Sequence, residues 1–416
     1  MPIITAVSSP TTALITSTSD ASGNISYVTA NTTAMVIDTN QNTTYIGYVS
    51  APNTFGYKNR VINGAFAIDQ RANGTAQLGV AGGSTYFLAD RFRVGGSALS
   101  TGRFTWQQVT DAPNGFTNSG KITVTTAQST TSEVQVLTHW MEGLNVSDFA
   151  WGTSSATSAA LSFWVKASVT GTYSVAIRSD NVGTNYSYVA TYSVTAANTW
   201  QYITIIIPPI TVGTWTMSVD YGIRIDWDIG SGTSGNQTTG NVWTAGNYFK
   251  APGTVNLVSN NGATWQITGV QFEKGSIATP FEFRDYGREL QLCQRYCFKP
   301  LDGSLNGNAA YWSGATAAAY NSGSVSCYGS AFLPVAMRRS PSVTATVGIY
   351  CNSINGNSNT AYQHSFTVYP TSGYATNLNG IYLIVTTGAA GSSGVANEFC
   401  WLNATAGGYL IFTSEY

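Results

Sequence analysis

The chain has 416 residues, enough for two or three domains that each bury a core of their own. Charged residues make up only 9%, against about 25% in ordinary soluble proteins. The formal net charge is −1 and Lys and Arg, the pair Arg338-Arg339 apart, are scattered singly, which excludes the basic stripe a phosphate backbone needs. No run approaches the roughly 20 apolar residues of a membrane helix, so neither nucleic acid nor membrane insertion is expected. Met1-Pro2-Ile3-Ile4 lacks the basic start of a signal peptide, and synthesis in a cytoplasm is the expectation.

Residues 1–57 are rich in Thr, Ser and Asn. Within them, Met35 and Ile37, an Asp/Asn turn, and then Tyr45 and Ile46 predict a short hairpin. This hairpin resembles the repeated units of trimeric phage fibre shafts, which implies attachment through the N-terminal segment to other virion proteins. A hairpin this small cannot bury its apolar side chains alone, so order here needs a partner. A flexible linker is the competing reading.

From 58 to 284 short alternating strands follow one another, as in a β-sandwich or jelly roll. Leu161, Phe163, Val165 and Ala167 alternate with Ser162, Trp164, Lys166 and Ser168. Trp200 to Ile207 is apolar at both parities, which predicts a central strand. In Thr216 to Ile229 the odd positions are apolar and the even ones, including Asp220, Arg224, Asp226 and Asp228, are polar. That pattern predicts one core face and one polar face.

The stretch from Thr264 to Pro300 joins two halves of the chain. Trp265 and Ile267 share one parity and Val270 and Phe272 the other, so a bulge is expected at Gly269. Asp285 is placed as N-cap of a helix over Arg288–Phe298, with Leu290, Cys293 and Cys297 as its apolar stripe. That stripe could pack around a three-fold axis or on the chain's own sandwich. The runs Gly269–Gly275, Ala278–Glu282 and Glu289–Tyr296 resemble a module of bacteriophage tail-fibre and virion-appendage proteins. So do Arg60–Phe66, Asp69–Arg71, Ala89–Phe92 and Leu333–Pro341. The resemblance implies a carbohydrate-binding-module-like jelly roll followed by a variable distal domain.

Residues 300–416 alternate more weakly and predict a second β-domain whose long Gly/Ser/Asn loops suit ligand contact. Five Cys and two His form neither a CxxC pair nor a zinc spacing, so buried reduced thiols are expected and no cofactor. No nucleophile elbow, HExxH or phosphate loop occurs. Asp226 and Asp228 stand at a spacing that carboxylate-pair hydrolysis would use, and three duller readings compete: solvation, pairing with Arg224, or a structural Ca²⁺. Metal binding stays open. Asp90, Arg91 and Glu273 read as structural, each needing a partner if buried.

Sugar recognition asks for flat aromatic rings beside amides and hydroxyls. Trp140, Trp151 and Trp243 stand in loop-like contexts, and Tyr311, Trp312 and Tyr328 lie among small polar residues. These six are the candidate ligand contacts. Trp106, Trp227 and Trp265 read as core.

The expected architecture is therefore all-β, a jelly-roll sandwich plus a distal β-domain joined by one short helix. The parts are 1–57, an attachment and shaft segment; 58–284, the jelly roll; 285–299, the helix; and 300–416, the distal domain. Expected function is that of a non-enzymatic, homotrimeric tail fibre of the virion that binds a bacterial surface glycan. A head fibre or capsid decoration and a polysaccharide depolymerase are the alternatives.

Overall fold

The computed structural model describes residues 17–19, 25–29, 32–37, 43–45, 57–78, 86–87, 89–95, 104–127, 133–179, 184–302, 310–312, 315–321, 324–339, 341–345, 349–353, 364–367, 380–387, 400–404 and 409–414. Contacts divide the chain into Met1–Gly56 and Tyr57–Tyr416.

The first unit is a four-stranded antiparallel sheet in the order β1 (Ser17–Ser19), β2 (Ile25–Thr29), β3 (Thr32–Ile37), β4 (Thr43–Tyr45). The expected hairpin is its β3–β4 pair, with Met35 opposite Tyr45.

In the second unit thirteen strands form two antiparallel sheets. In chain order they are β5 (Gln77–Leu78), β6 (Tyr86–Phe87), β7 (Phe92–Gly95), β8 (Phe104–Val109), β9 (Ser119–Val124) and β10 (Val136–Glu142). There follow β11 (Ala159–Ala167), β12 (Gly171–Arg178), β13 (Tyr186–Val194) and β14 (Gln201–Ile207). The set ends with β15 (Tyr221–Asp228), β16 (Trp243–Ala245) and β17 (Thr264–Lys274). One sheet runs β16-β13-β12-β15-β10-β7-β6 and the other β14-β11-β17-β9-β8-β5.

The sheets meet face to face through the residues that alternation assigns inward. Phe163 on β11 stands edge-on to Trp227 on β15, with centroids 5.9 Å apart, and edge-on to Tyr192 on β13 at 5.2 Å. Leu161, Phe163, Val165, Ile225, Trp227 and Trp265 are all fully buried. Each large aliphatic or Phe side chain removed from water here contributes roughly 1.5–3 kcal/mol. The all-β sandwich expected from the sequence is what forms.

At Gly269 the expected bulge is present. Ser162 pairs with Gln271 and Trp164 with Thr268, so Gly269 and Val270 together oppose Phe163. Gly269 has φ +62°, a conformation that favours glycine. The kink also changes partners on the far side of β17. Before it β9 pairs with Thr264–Ile267. Beyond it Arg60 N–H donates to Phe272 O at 2.8 Å and Val270 N–H to Gly64 O at 2.9 Å. Segment 59–64 is thereby laid along the second half of the strand.

Three expectations need correction. Strand β14 is an edge strand, pairing among the described residues with β11 alone, and its outward residues Tyr202, Thr204 and Ile206 are exposed. The strand expected over Thr216–Ile229 begins only at Tyr221, and its polar face is not solvated: Asp226 and Asp228 are 0% and 1% exposed. Helix α1 spans Tyr286–Gln294, so Cys297 is not on it but opens strand β18 (Cys297–Asp302).

Asp285 caps α1 as expected, accepting from Gly287 N at 2.9 Å and Arg288 N at 3.3 Å. Leu290 and Cys293 pack on Ile62, Ile68 and Tyr296 of the same chain. Cys293 and Cys297 are both fully buried.

Beyond α1 the described strands are β18, β19 (Ala310–Trp312), β20 (Ala315–Asn321), β21 (Ser324–Phe332) and β22 (Ser342–Ala345). They continue with β23 (Ile349–Ser353), β24 (His364–Thr367), β25 (Gly380–Thr387), β26 (Cys400–Ala404) and β27 (Tyr409–Thr413). They form small antiparallel sheets β18-β27-β22, β19-β26-β23 and β20-β21-β25-β24. Arg338 fastens this region to the sandwich: its Nη1 donates to Val219 O at 2.9 Å and its Nε to Ser414 O at 3.2 Å. Of the polar loops expected as ligand contacts, 352–359 and 388–394, Asn352 and Ser353 end strand β23 and the rest lies outside the described residues.

Candidate functional site

The six aromatics singled out from the sequence divide sharply. Trp140 lies on β10, not in a loop, and is 2% exposed. Its ring is stacked on Tyr221 at 5.4 Å and flanked by the guanidiniums of Arg93 and Arg224, each 5.0 Å from its centroid. Trp151 is likewise 2% exposed and packs against Trp215 at 5.0 Å and Trp243 at 5.4 Å. Its indole N–H donates to Thr157 O at 2.7 Å. Trp243, half-buried on β16, closes the same cluster and donates to Pro208 O at 2.9 Å. Trp140 and Trp151 are packing residues, because rings this enclosed offer no face to a sugar. Tyr311 and Trp312 lie on β19 and Tyr328 on β21, with side chains outside the described residues.

The carboxylates of β15 and its approach do not converge on a common point either. Asp226 accepts from Thr138 Oγ1 at 2.6 Å, Arg224 Nε at 2.8 Å and Arg178 Nη1 at 3.1 Å. Asp228 faces Lys250 at 3.8 Å, and its burial pushes its carboxyl above the usual range. Asp220 pairs with Arg339 and lies 3.7 Å from Arg338. Of the readings open at the sequence, solvation fails for Asp226 and Asp228, and pairing with Arg224 holds for Asp226. Among the described residues no group of three or more His, Cys, Asp or Glu is arranged to hold a metal ion.

The residues read as structural are buried and partnered. Asp90 accepts from Gln70 Nε2 at 2.5 Å and pairs with Arg71 at 3.2 Å. Arg91 donates to Trp140 O at 2.7 Å and lies over the Tyr296 ring at 3.4 Å. Glu273 needs no cation, taking Thr279 N–H at 2.8 Å, Thr279 Oγ1 at 2.7 Å and Gln271 Nε2 at 2.8 Å.

Open aromatic surface lies instead on the outer face of the six-stranded sheet. Trp164 on β11 and Tyr202 on β14 are direct cross-strand partners with centroids 5.3 Å apart, and Tyr202 is 43% exposed. The row continues over the bulge. A methyl group at Gly269 would stand 2.7 Å from Phe116 Cζ and 3.0 Å from Trp164 Cδ1, so both rings close over that glycine from either side. Phe116 in turn contacts Phe281 at 5.1 Å and Phe283 at 5.3 Å, and these two contact each other at 4.9 Å.

Polar groups flank the row. Asp111 gathers Lys166, Gln266 Nε2 at 3.2 Å and Trp200 Nε1 at 3.4 Å, and its hydrogen bond from Lys166 holds its carboxyl below the usual range. At the other end Phe116, Phe281, Phe283 and Tyr286 border a cavity of about 230 Å³ that also meets Asn59, Asn63, Glu282, Arg284 and Glu289. Phe283 and Tyr286 are each 62% exposed, so this cavity opens to solvent.

Phe116, Tyr202, Phe281 and Phe283 were not among the candidates from the sequence, although two signals were there. Trp164 occupies the polar parity of β11, where nothing in the core calls for a ring. Phe281-x-Phe283 follows Pro280 at alternate positions of an extended link.

No protein-family model matches this chain, and no curated protein matches it. Among solved structures the chain is similar to a candidate sugar-binding protein of Bacteroides thetaiotaomicron, at 14% identity over 52% of this chain and 100% of that one, with a TM-score of 0.32. It is similar to the enzymatically active domain of tailspike protein 4 of bacteriophage CBA120, at 17% identity over 52% of this chain and 22% of that one, with a TM-score of 0.30. A third likeness is to a carbohydrate-binding module of family 4, at 15% identity over 51% of this chain and 99% of that one, with a TM-score of 0.26. At these scores the likenesses leave the function to be argued from the chain's own residues.

Proposed function

We propose that this chain is a glycan-binding adhesion subunit of a bacteriophage fibre or appendage, acting by binding and not by hydrolysis. The observation that carries the reading is the row Tyr202–Trp164–Phe116–Phe283 on an open sheet face. Pyranose rings bury their C–H faces on flat aromatics while hydroxyls bond to neighbouring amides and carboxylates, and this face supplies both. The phage setting rests on the resemblance of Gly269–Gly275 and Ala278–Glu282 to the virion-appendage module, with attachment through residues 1–57 as a homotrimer.

The test is affinity electrophoresis of the purified chain through gels containing bacterial surface polysaccharides, beside Trp164→Ala/Tyr202→Ala. Retardation that disappears in the double variant is expected. Equal mobility of the two proteins in every gel would sink the reading, and release of reducing sugar would replace it with a depolymerase.

One feature favours a second reading, a structural decoration subunit. Ile206 stands exposed on edge strand β14, two outward positions beyond Tyr202, as an interface residue would. Light scattering on Ile206→Lys and the parent distinguishes the two. Loss of an oligomer together with retained polysaccharide binding assigns β14 to subunit contact.

A further inference from the structure

We infer that the cavity bordered by Phe116, Phe281, Phe283 and Tyr286 is a subsite for a single uncharged pyranose. This deepens the glycan-binding reading and rests on it.

Size comes first. At about 230 Å³ the space lies below the roughly 300–1,000 Å³ of sites that enclose drug-sized molecules, and suits one ring. Gly64, Ala65, Ala67 and Gly115 line it with nothing larger than a methyl, so a ring can approach the backbone closely.

Charge comes second. Glu282 uses Oε2 to accept Asn59 N–H at 2.6 Å, and its Oε1 has no hydrogen-bond partner among the described residues. Thr117 donates its hydroxyl proton to Asn118 Oδ1 at 2.8 Å and keeps lone pairs for a donor. Arg284, the cation in the lining, is committed to neighbouring groups, with Glu282 Oε2 at 3.8 Å among them. Its Nη1 donates to Val61 O at 3.0 Å and pairs with Glu289 at 3.1 Å, its Nη2 donates to Asn59 O, and its guanidinium lies 4.0 Å from the Tyr57 ring centroid. The Asn59 and Asn63 amides are spent as well, on Val270 O at 3.0 Å and on Ile68 O and Asp90 O at 2.8 and 2.9 Å.

What remains for a ligand is the acceptors of Glu282 and Thr117 and the phenol of Tyr286, beside aromatic carbon. Hydroxyl donors satisfy them. A uronic or sialic acid would bring its carboxylate against Glu282 and meet no available cation. A quaternary ammonium would need rings spaced around it, whereas Phe116, Phe281 and Phe283 already touch, with centroids 4.9–5.3 Å apart.

Saturation-transfer NMR on the full chain tests this with methyl glycosides of glucose, galactose, mannose and N-acetylglucosamine, with glucuronic and galacturonic acids, and with choline chloride. A neutral glycoside should bind, and Phe283→Ala should weaken it about tenfold, the loss of one stacking ring. Glu282→Gln, which keeps an acceptor for Asn59 N–H, should weaken it several-fold. Leu144→Ser, at an exposed residue outside the lining and the aromatic row, should leave monosaccharide binding unchanged. Binding of either acid or of choline, silence from every glycoside, or indifference to both cavity variants would overturn the inference. If polysaccharide is still retarded in a Trp164-dependent way in that case, only the cavity subsite falls. Loss of polysaccharide retardation with glycoside binding intact does the reverse.

Discussion

The outer faces of the two sheets carry the same kind of sequence and do opposite things. Both place polar residues and a tryptophan at the outward parity: Thr138, Trp140, Arg224 and Asp226 on β10 and β15, Ser162, Trp164 and Lys166 on β11. On the seven-stranded sheet these groups are consumed. Trp140 is enclosed by two guanidiniums and Tyr221, and Asp226 is fully buried between Arg178 and Arg224. On the six-stranded sheet Trp164 meets Tyr202 and the rim of a glycine bulge, and Tyr202 stays exposed. A polar parity therefore specifies which way a side chain points, not whether it meets solvent. Long-range neighbours decide that, and here they separate a fastened face from an open one.

The comparison breaks most visibly at Asp226. Asp226→Ala leaves the buried Arg178 without its carboxylate, and removing one partner of a buried pair costs about 3–5 kcal/mol. Trp140→Ala should cost a similar amount, about 3–5 kcal/mol, through the void it leaves. Urea unfolding of both variants measures this. A loss under 1 kcal/mol in either would mean that the seven-stranded face is not fastened as described.

Gly269→Ala is the next largest. The left-handed φ and the clash with Phe116 and Trp164 together should cost about 1–3 kcal/mol. Near-UV circular dichroism should change with it, because both rings must move. An unaltered spectrum would detach the aromatic row from the bulge.

Several of these features were legible in the sequence and others were not, for physical reasons. The bulge at Gly269 showed as a change of parity, and the Asp285 cap as an Asp before a helical run, because both are local. Trp200–Ile207 misled because Tyr202 and Ile206 are apolar yet outward; hydropathy alone cannot separate a second buried face from a binding or contact face. Trp140 misled in the opposite sense, since the arginines that enclose it come from β7 and β15, distant in the chain. The C-terminal end of α1 was misplaced because Cys297 continues the helical spacing, whereas the strand pairing of Cys297 with Thr413 draws it into a sheet. The cavity was missed because its walls come from 59–67, 115–117 and 281–289, which the bulge in β17 brings together.

The inward side of β10 supplies a pH-dependent control. His139 is fully buried beside Phe92, with Nε2 against Ile62, and burial reinforced by the nearby charge of Arg91 holds its imidazole well below the usual range. The folded chain thus refuses a proton that the unfolded chain accepts near pH 6.5. Stability should be insensitive to this group above pH 6.5 and fall as pH drops below it, by up to about 1.4 kcal/mol per pH unit. His139→Gln should flatten that slope in urea unfolding between pH 5 and 7. An unchanged slope would place the acid sensitivity among the carboxylates.

The smallest expected effect on stability is the most informative about function. Trp164→Ala removes a tryptophan from the same parity of a neighbouring sheet as Trp140, yet its ring is part-exposed and its cross-strand contact is with the solvent-open Tyr202. A pair of that kind contributes about 1 kcal/mol, so the midpoint of urea unfolding should shift by a fraction of the Trp140→Ala shift. If glycan retardation is lost while stability is nearly kept, the ring is held on the surface for a partner. If stability falls as far as in Trp140→Ala, the six-stranded face is also a packing face, and the ring's exposure has no bearing on recognition. The two tryptophans thus test each other: one chain, one side-chain type and one strand parity, differing in what the rest of the fold places above them.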